Sequence, residues 1–222
     1  MSLRTAIINL IISLGLVGAV VIVGVGAKMW RKPPPSALKA VPLQGPTSTE
    51  PPKASEKFAL LSQPQLLDVR GDQADRLLIR HADGEHEFAL YFVEALGGPT
   101  ASAELVEDQA RWFRCESRDI RSLGQDAALY ASQQLRAHSM EVLTRWEPTP
   151  DRRAYYALVF VKRSQGSASL GEQLLRQGFA RVGGLTTPLP GDTREMAAYL
   201  ADLKQMDATA RSARLGIWGR SQ

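Results

Sequence analysis

Few side chains in this sequence carry chemistry, and their types narrow it. Cys115 is the single cysteine, so no intrachain disulfide and no multi-cysteine metal site is available. The three histidines are scattered, which argues against a histidine-built metal centre. Carboxylates and arginines are the other chemistry-bearing types. Carboxylate oxygens suit a hard cation such as Ca²⁺, and a guanidinium fork suits phosphate. Asp72 and Asp75 lie together in a predicted turn, where aspartates are ordinary turn formers. Arg152 and Arg153 follow Asp151 in another turn, either solvated there or available to a phosphate. A net charge of +4 permits nucleic-acid or anionic-lipid binding and requires neither.

The elements that must position these residues begin after a long apolar segment. Ala6 to Gly26 is an uncharged run of 21 residues. A bilayer core takes about 20 apolar residues as a helix, so the run predicts a single transmembrane helix. Arg4 precedes it, Lys28, Arg31 and Lys32 follow, and Trp30 sits at interface depth. A cleaved signal peptide is the alternative, but its apolar core spans only about 7–15 residues. The expectation is a single-pass membrane protein, anchored over residues 1–32, in contact with lipid through 6–26. A one-charge margin leaves open which side the remainder faces. Residues 33–57 carry Pro33-Pro34-Pro35, Pro42, Pro46, Pro51 and Pro52, and predict an extended tether.

Residues 58–222 predict one domain. Leu66–Arg70, Asp75–His81 and Glu87–Val93 have strand character, with Asp83-Gly84 as the hairpin signal. A helix is predicted over Ala103–Phe113 and another over Gln125–His138. Strands follow over Met140–Trp146 and Tyr155–Val161, the latter strongly apolar and central. Ser169 with Glu172, and Asp192 with Glu195, have capping-box spacing before two further helices. Gly178 suits a left-handed helix end. Met196, Tyr199, Leu200, Leu203, Met206 and Ala210 form the apolar face of the last helix. The order β-β-β-α-β-β-α-α predicts an α+β domain: a five-stranded OB-type β-barrel packed by about three helices.

Three motifs in this order resemble the staphylococcal-nuclease-like (thermonuclease) family. Leu174-Leu175-Arg176-Gln177-Gly178-Phe179-Ala180-Arg181-Val182 resembles its "L-(V/L)-R-x-G-L-A-x-V" segment. Ala210 to Trp218, ending Gly216-Ile217-Trp218, resembles its "A-(R/K)-x-x-x-x-G-I-W" closure. Gly124-Gln125-Asp126-Ala127-Ala128 resembles its "G-x-E-A" helix opening. The resemblance covers roughly Leu66 to Gly219 and implies a fold. Function has to be argued at the site.

The resemblance also implies a site, and here the match thins. The family's acidic "D-G-D-T" turn is met only by Asp72 and Asp75. Glu94 stands where a metal-binding Asp is expected, making Asp72, Asp75 and Glu94 the candidate Ca²⁺ ligands. The third-strand arginine is missing, Phe88-Ala89-Leu90 standing where the family has an aromatic or apolar residue and then Arg, and Gly97 stands where the catalytic Glu belongs. Strict register puts Ala154 at the second arginine, whereas a slip of one puts Arg153 there as a candidate phosphate clamp. Glu104 or Glu107 could reach back from the following insertion. Loss of the base alone costs roughly 10²–10⁴ in rate.

Three functions follow as expectations. One is a catalytically degenerate nuclease-like module that binds single-stranded nucleic acid or an unidentified protein at a membrane and needs no cofactor. Tyr91, Trp112, Trp146, Tyr155 and Tyr156 would be its aromatic platforms, near Arg111, Arg114, Arg145 and Arg152. Another is an active Ca²⁺-dependent phosphodiesterase using Glu94 and Arg153. The last is a structural subunit of a membrane complex.

Overall fold

The structure is a computed structural model that describes residues 51–192 and 194–221, without the side chains of Asp72 and Asp192. Strands β1 (Ala59–Leu60), β2 (Gln65–Val69), β3 (Arg76–His81), β4 (Gly84–Leu90) and β5 (Val93–Ala95) come first. Helices α1 (Ala103–Phe113) and α2 (Ser117–Ala137) follow, then strands β6 (Ser139–Pro148), β7 (Tyr155–Arg163) and β8 (Gly166–Ser169). Helix α3 (Leu170–Arg176), strand β9 (Ala180–Val182) and helix α4 (Met196–Ser212) complete the α+β arrangement.

Seven strands form one mixed sheet in the order β1-β6-β7-β4-β3-β2, with β8 also paired to β7. Among the described residues its one parallel pairing is β4 with β7, where Phe88, Ala89 and Leu90 meet Tyr155, Tyr156 and Ala157. Strands β5 and β9 form a separate antiparallel pair. The expected five-stranded closed barrel is therefore corrected. β1 and β2 end the sheet path, and they do not pair with each other. Closure depends on long-range pairing between chain-distant strands, which alternation within each strand does not encode.

The single-pass membrane expectation is corrected as well. Among the described residues no helix is long and apolar enough to cross a membrane. The segment 6–26, on which that expectation rested, lies outside the described residues, as does most of the predicted tether.

Strand β7 is the apolar strand its sequence suggested, with Ala157, Leu158, Val159 and Val161 buried. It joins Leu77, Ile79, Phe88, Leu90, Leu174 and Leu175 in the main core. A second cluster gathers Leu96, Val106, Phe113, Ile120, Ala210, Ile217 and Trp218. Helix α1 feeds it through Val106, Ala110 and Phe113, spaced four and three apart on one face. Its start is capped where Ser102 Oγ accepts from Leu105 N–H at 3.3 Å.

The two motifs around Gly178 and Gly216 meet backbone to backbone. Gly178 has φ +67°, and a Cβ there would lie 2.2 Å from the Leu215 carbonyl oxygen. A Cβ on Gly216 would lie 2.4 Å from the Gln177 and Gly178 oxygens. Ile217 N–H then donates to Gly178 O at 3.1 Å. Glycine is needed at both positions because the chains touch, and the contact seats Ile217 and Trp218 in the second cluster.

Candidate functional site

Two of the candidate carboxylates, Asp75 and Glu94, lie at strand β5 of the β5–β9 pair. Asp72 ends a single 3-10 turn, Arg70–Asp72, made possible by Gly71 at φ +59°. Gln73 then bridges to Gly97, which places the turn beside the exit of β5. Asp75 is buried, and its Oδ2 accepts from Ala95 N–H at 3.2 Å. Its Oδ1 has no hydrogen-bond partner. Burial pushes the Asp75 carboxyl up to about 6; the Ala95 N–H and the Arg76 charge only partly offset this, and Glu94 adds to it.

Glu94, beside Ala95 in β5, is already compensated. Its Oε1 accepts from Arg181 Nη2 at 2.8 Å and from Gln109 Nε2 at 3.2 Å. Arg181 reaches Asp108 with the same nitrogen at 2.7 Å, and its guanidinium lies 5.5 Å from the centre of the Trp112 ring. Beta pairing dictates this: Glu94 and Arg181 are direct partners across β5 and β9. Gln109 is fully buried and ties the strand exit down, accepting from Gly97 N–H and donating to Ala95 O, both at 2.8 Å. Glu94 therefore neutralises a fixed cation. Among the described residues no group of three His, Cys, Asp or Glu side chains is arranged to hold a metal ion.

Position 97 has no room for a catalytic side chain. A Cβ on Gly97 would sit 2.8 Å from Ala101 Cβ, and Gly124 packs against the Gly97 backbone on another side. Ala89, beside the missing third-strand arginine, and Ala154, the strict-register position of the second arginine, are both buried. Arg153 stays in the β6–β7 turn. Its N–H donates to Asp151 Oδ1 at 3.2 Å, and Asp151 also accepts from Thr149 Oγ1 at 2.5 Å. Those contacts and the nearby Arg76 and Arg153 charges hold the Asp151 carboxyl below the usual range, the Thr149 bond most of all. The structure thus brings Asp75 and Glu94 together but gives Arg153 no contact with either.

The candidate platforms separate by exposure. Tyr91 is buried and donates its hydroxyl to Glu147 Oε2. Tyr156 stacks on it at 5.3 Å. Trp146 and Tyr155 pack with His86 and Phe88. Arg145 is spent on Ser55 O and Thr187 Oγ1. Trp112 alone among the five is a large exposed apolar side chain, at 46%. Arg111 precedes it, and Arg114 ends α1 in the left-handed conformation at φ +56°. Behind Trp112 stands Trp218 at 5.6 Å between ring centres, with Arg211 5.0 Å from the Trp218 ring centre.

Arg181, Gln109, Asp207 and Arg211 carry no site signature in the sequence, and Arg181 and Arg211 fall inside the structural motifs around Gly178 and Gly216. The signal for Gln109 was a polar residue on the apolar face of α1, in line with Val106 and Phe113.

No family model matches this chain, and no curated protein matches it. The expectation of a thermonuclease-type nuclease gains no support from these comparisons, and the nuclease family and membrane descriptors drawn from the sequence are set aside.

Proposed function

We propose that this domain binds single-stranded nucleic acid without cleaving it. The observation that carries the reading is Trp112, an exposed indole that lines one surface pocket together with Arg114 and Arg211. Base stacking on an aromatic is worth about 1–3 kcal/mol per base and tolerates any sequence, while guanidinium groups follow the phosphates. The absence of turnover is supported by three features already described. Glu94 is held by Arg181, position 97 is closed to a side chain, and the third-strand arginine is missing, with Ala89 buried there.

The test is retention of a labelled single-stranded oligonucleotide by the full chain at increasing salt. Binding should weaken steeply with salt, and Trp112→Ala should weaken it about tenfold at fixed salt. Retention that ignores both salt and Trp112→Ala sinks the reading. So does Ca²⁺-dependent cleavage of the oligonucleotide that Glu94→Ala abolishes.

A further inference from the structure

The exposed indole of Trp112 shares its helix face with a carboxylate. Asp108 lies four residues before it on α1, so the two side chains sit a turn apart on one side of the helix. The Arg181 guanidinium lies beside both. Its Nη2 is 2.7 Å from Asp108 Oδ2 and 2.8 Å from Glu94 Oε1, and its central carbon is 5.5 Å from the centre of the Trp112 ring. Glu94 and Arg181 are direct partners across β5 and β9, so the strand pair sets where this cation stands.

Two properties separate Arg181 from the arginines that line the pocket beside Trp112. Arg114 and Arg211 are exposed, and a phosphate can reach them. The Arg181 side chain is only 15% exposed and sits between two carboxylates. Its hydrogen bond and its charge hold the Asp108 carboxyl below the usual range. Two carboxylates against one guanidinium leave nothing there to attract a phosphate. What Arg181 offers instead is a cation against an indole, an attraction that needs no ligand. A tryptophan held in this way loses less side-chain freedom when a base stacks on it, and a lower ordering cost is gained affinity.

We infer that Arg181 is a positioning residue for strand binding: anchored by Glu94 and Asp108, it fixes the Trp112 indole for a stacked base and touches no phosphate itself. This rests on the strand-binding reading above and adds to it how the aromatic platform is held.

The experiment measures the affinity of the full chain for the labelled single-stranded oligonucleotide across a salt series. The variants are Asp108→Ala, Arg181→Gln, Arg114→Ala and Trp112→Ala, with the first two also combined with Trp112→Ala. Asp108→Ala separates charge from positioning because the two predict opposite signs. It removes a negative charge near the pocket and releases Arg111, whose Nη2 lies 3.8 Å from Asp108 Oδ1, so charge alone predicts tighter binding. Positioning predicts binding about threefold weaker, in line with the cost of ordering one side chain. Arg181→Gln should weaken binding about three- to tenfold and keep the wild-type salt slope. Arg114→Ala should lower that slope by about one phosphate contact. In the Trp112→Ala background neither Asp108→Ala nor Arg181→Gln should weaken binding further, which a general loss of stability would not reproduce.

Tighter binding by Asp108→Ala overturns the inference. So does a salt slope that falls in Arg181→Gln, or a loss that persists in full in the Trp112→Ala background. If Arg181→Gln does not fold, Asp108→Ala and its combination with Trp112→Ala decide. Wild-type retention that ignores salt and Trp112→Ala sinks the strand-binding reading and this inference with it. Retention that depends on Trp112 and is weakened by neither Asp108→Ala nor Arg181→Gln sinks this inference alone.

Discussion

Arg181 on β9 faces Glu94 on β5, with Nη2 2.8 Å from Oε1, and the same nitrogen lies 2.7 Å from Asp108 Oδ2. One cation thereby joins a strand pair to helix α1 and lies against the indole of Trp112. The arginine side chain is only 15% exposed, so its pair with Glu94 is screened far less than a surface pair.

Removing Arg181 should therefore be expensive. Arg181→Ala strands Glu94 beside the buried Asp75 and takes the support from under Trp112. The expected loss is about 2–4 kcal/mol, read from urea denaturation. A cycle with Glu94→Ala should give a coupling of about 1–3 kcal/mol. Additive single losses would show that the pair contributes no stability.

Gly97 sets a second expectation. Gly97→Glu restores the carboxylate that a metal-dependent phosphodiesterase would need, but its Cβ meets Ala101 at 2.8 Å. The variant should lose about 1–3 kcal/mol to overpacking and gain no Ca²⁺-dependent hydrolysis of single-stranded DNA. Hydrolysis in the variant would show that only the base was missing.

Glycine strain and glycine contact can be told apart here. Gly178 and Gly166 both have positive φ, but a Cβ on Gly166 would meet nothing within 4 Å. Gly166→Ala, at φ +128°, should cost about 1–3 kcal/mol from backbone strain alone. Gly178→Ala adds a collision with the Leu215 carbonyl and should cost about 3 kcal/mol or more. Thermal melts of the two variants provide the comparison, and equal losses would discount the contact.

These expectations also mark how far the sequence could be followed. Helix α1 spans Ala103–Phe113 as its sequence suggested; the structure adds that Ser102 caps its start and that a left-handed Arg114 ends it. Helix α2 starts at Ser117, eight residues before the expected Gln125, since Gly124 interrupts a helical pattern when considered alone. In the fold that glycine is required, because a Cβ on it would lie 2.5 Å from the Gly97 carbonyl carbon. The capping-box patterns misled: Ser169 makes no side-chain cap, and α4 takes Glu195 as its N-cap. Strands β8 and β9, at four and three residues, exist only through their partners β7 and β5. At the site, Asp75 and Glu94 were identifiable by residue type. What disarms Glu94 comes from residue 181, and nothing in local spacing connects the two.

Asp75 should leave a mark on the pH dependence of stability. Its carboxyl stands at about 6 in the fold against an ordinary 3.8. Between those values the folded chain holds a proton that the unfolded chain has released, so stability falls as pH rises. Above about pH 6 the full penalty is present, on the order of 3 kcal/mol. Asp75→Asn should flatten the urea midpoint across this window. An unchanged slope would move the titrating group elsewhere.

The histidines at the end of the β3–β4 hairpin act in the opposite direction. His81 Nε2 and His86 Nδ1 lie 2.9 Å apart, and Asp83 N–H donates to His81 Nδ1 at 3.3 Å. These bonds fit two neutral rings, with His81 carrying its proton on Nε2 and donating it to His86. A further proton must displace one bond or the other. Burial pushes both rings below their ordinary 6.5, and His81 adds to this for His86, while Asp83 pulls both back. The unfolded chain then takes up protons first, so this contribution is complete above about pH 6.5 and fades on acidification. Asp75 masks it by gaining stability over part of the same range, so the comparison belongs in the Asp75→Asn background. There, stability should fall as pH drops from 7.5 towards 5, and Trp146 emission should change with it, since its ring lies 5.2 Å from His86. Replacing His86 by Gln keeps an acceptor for the His81 N–H and removes one proton site. The acid-induced loss should shrink in His86→Gln, and a loss of equal size would leave the histidine pair without a role in it.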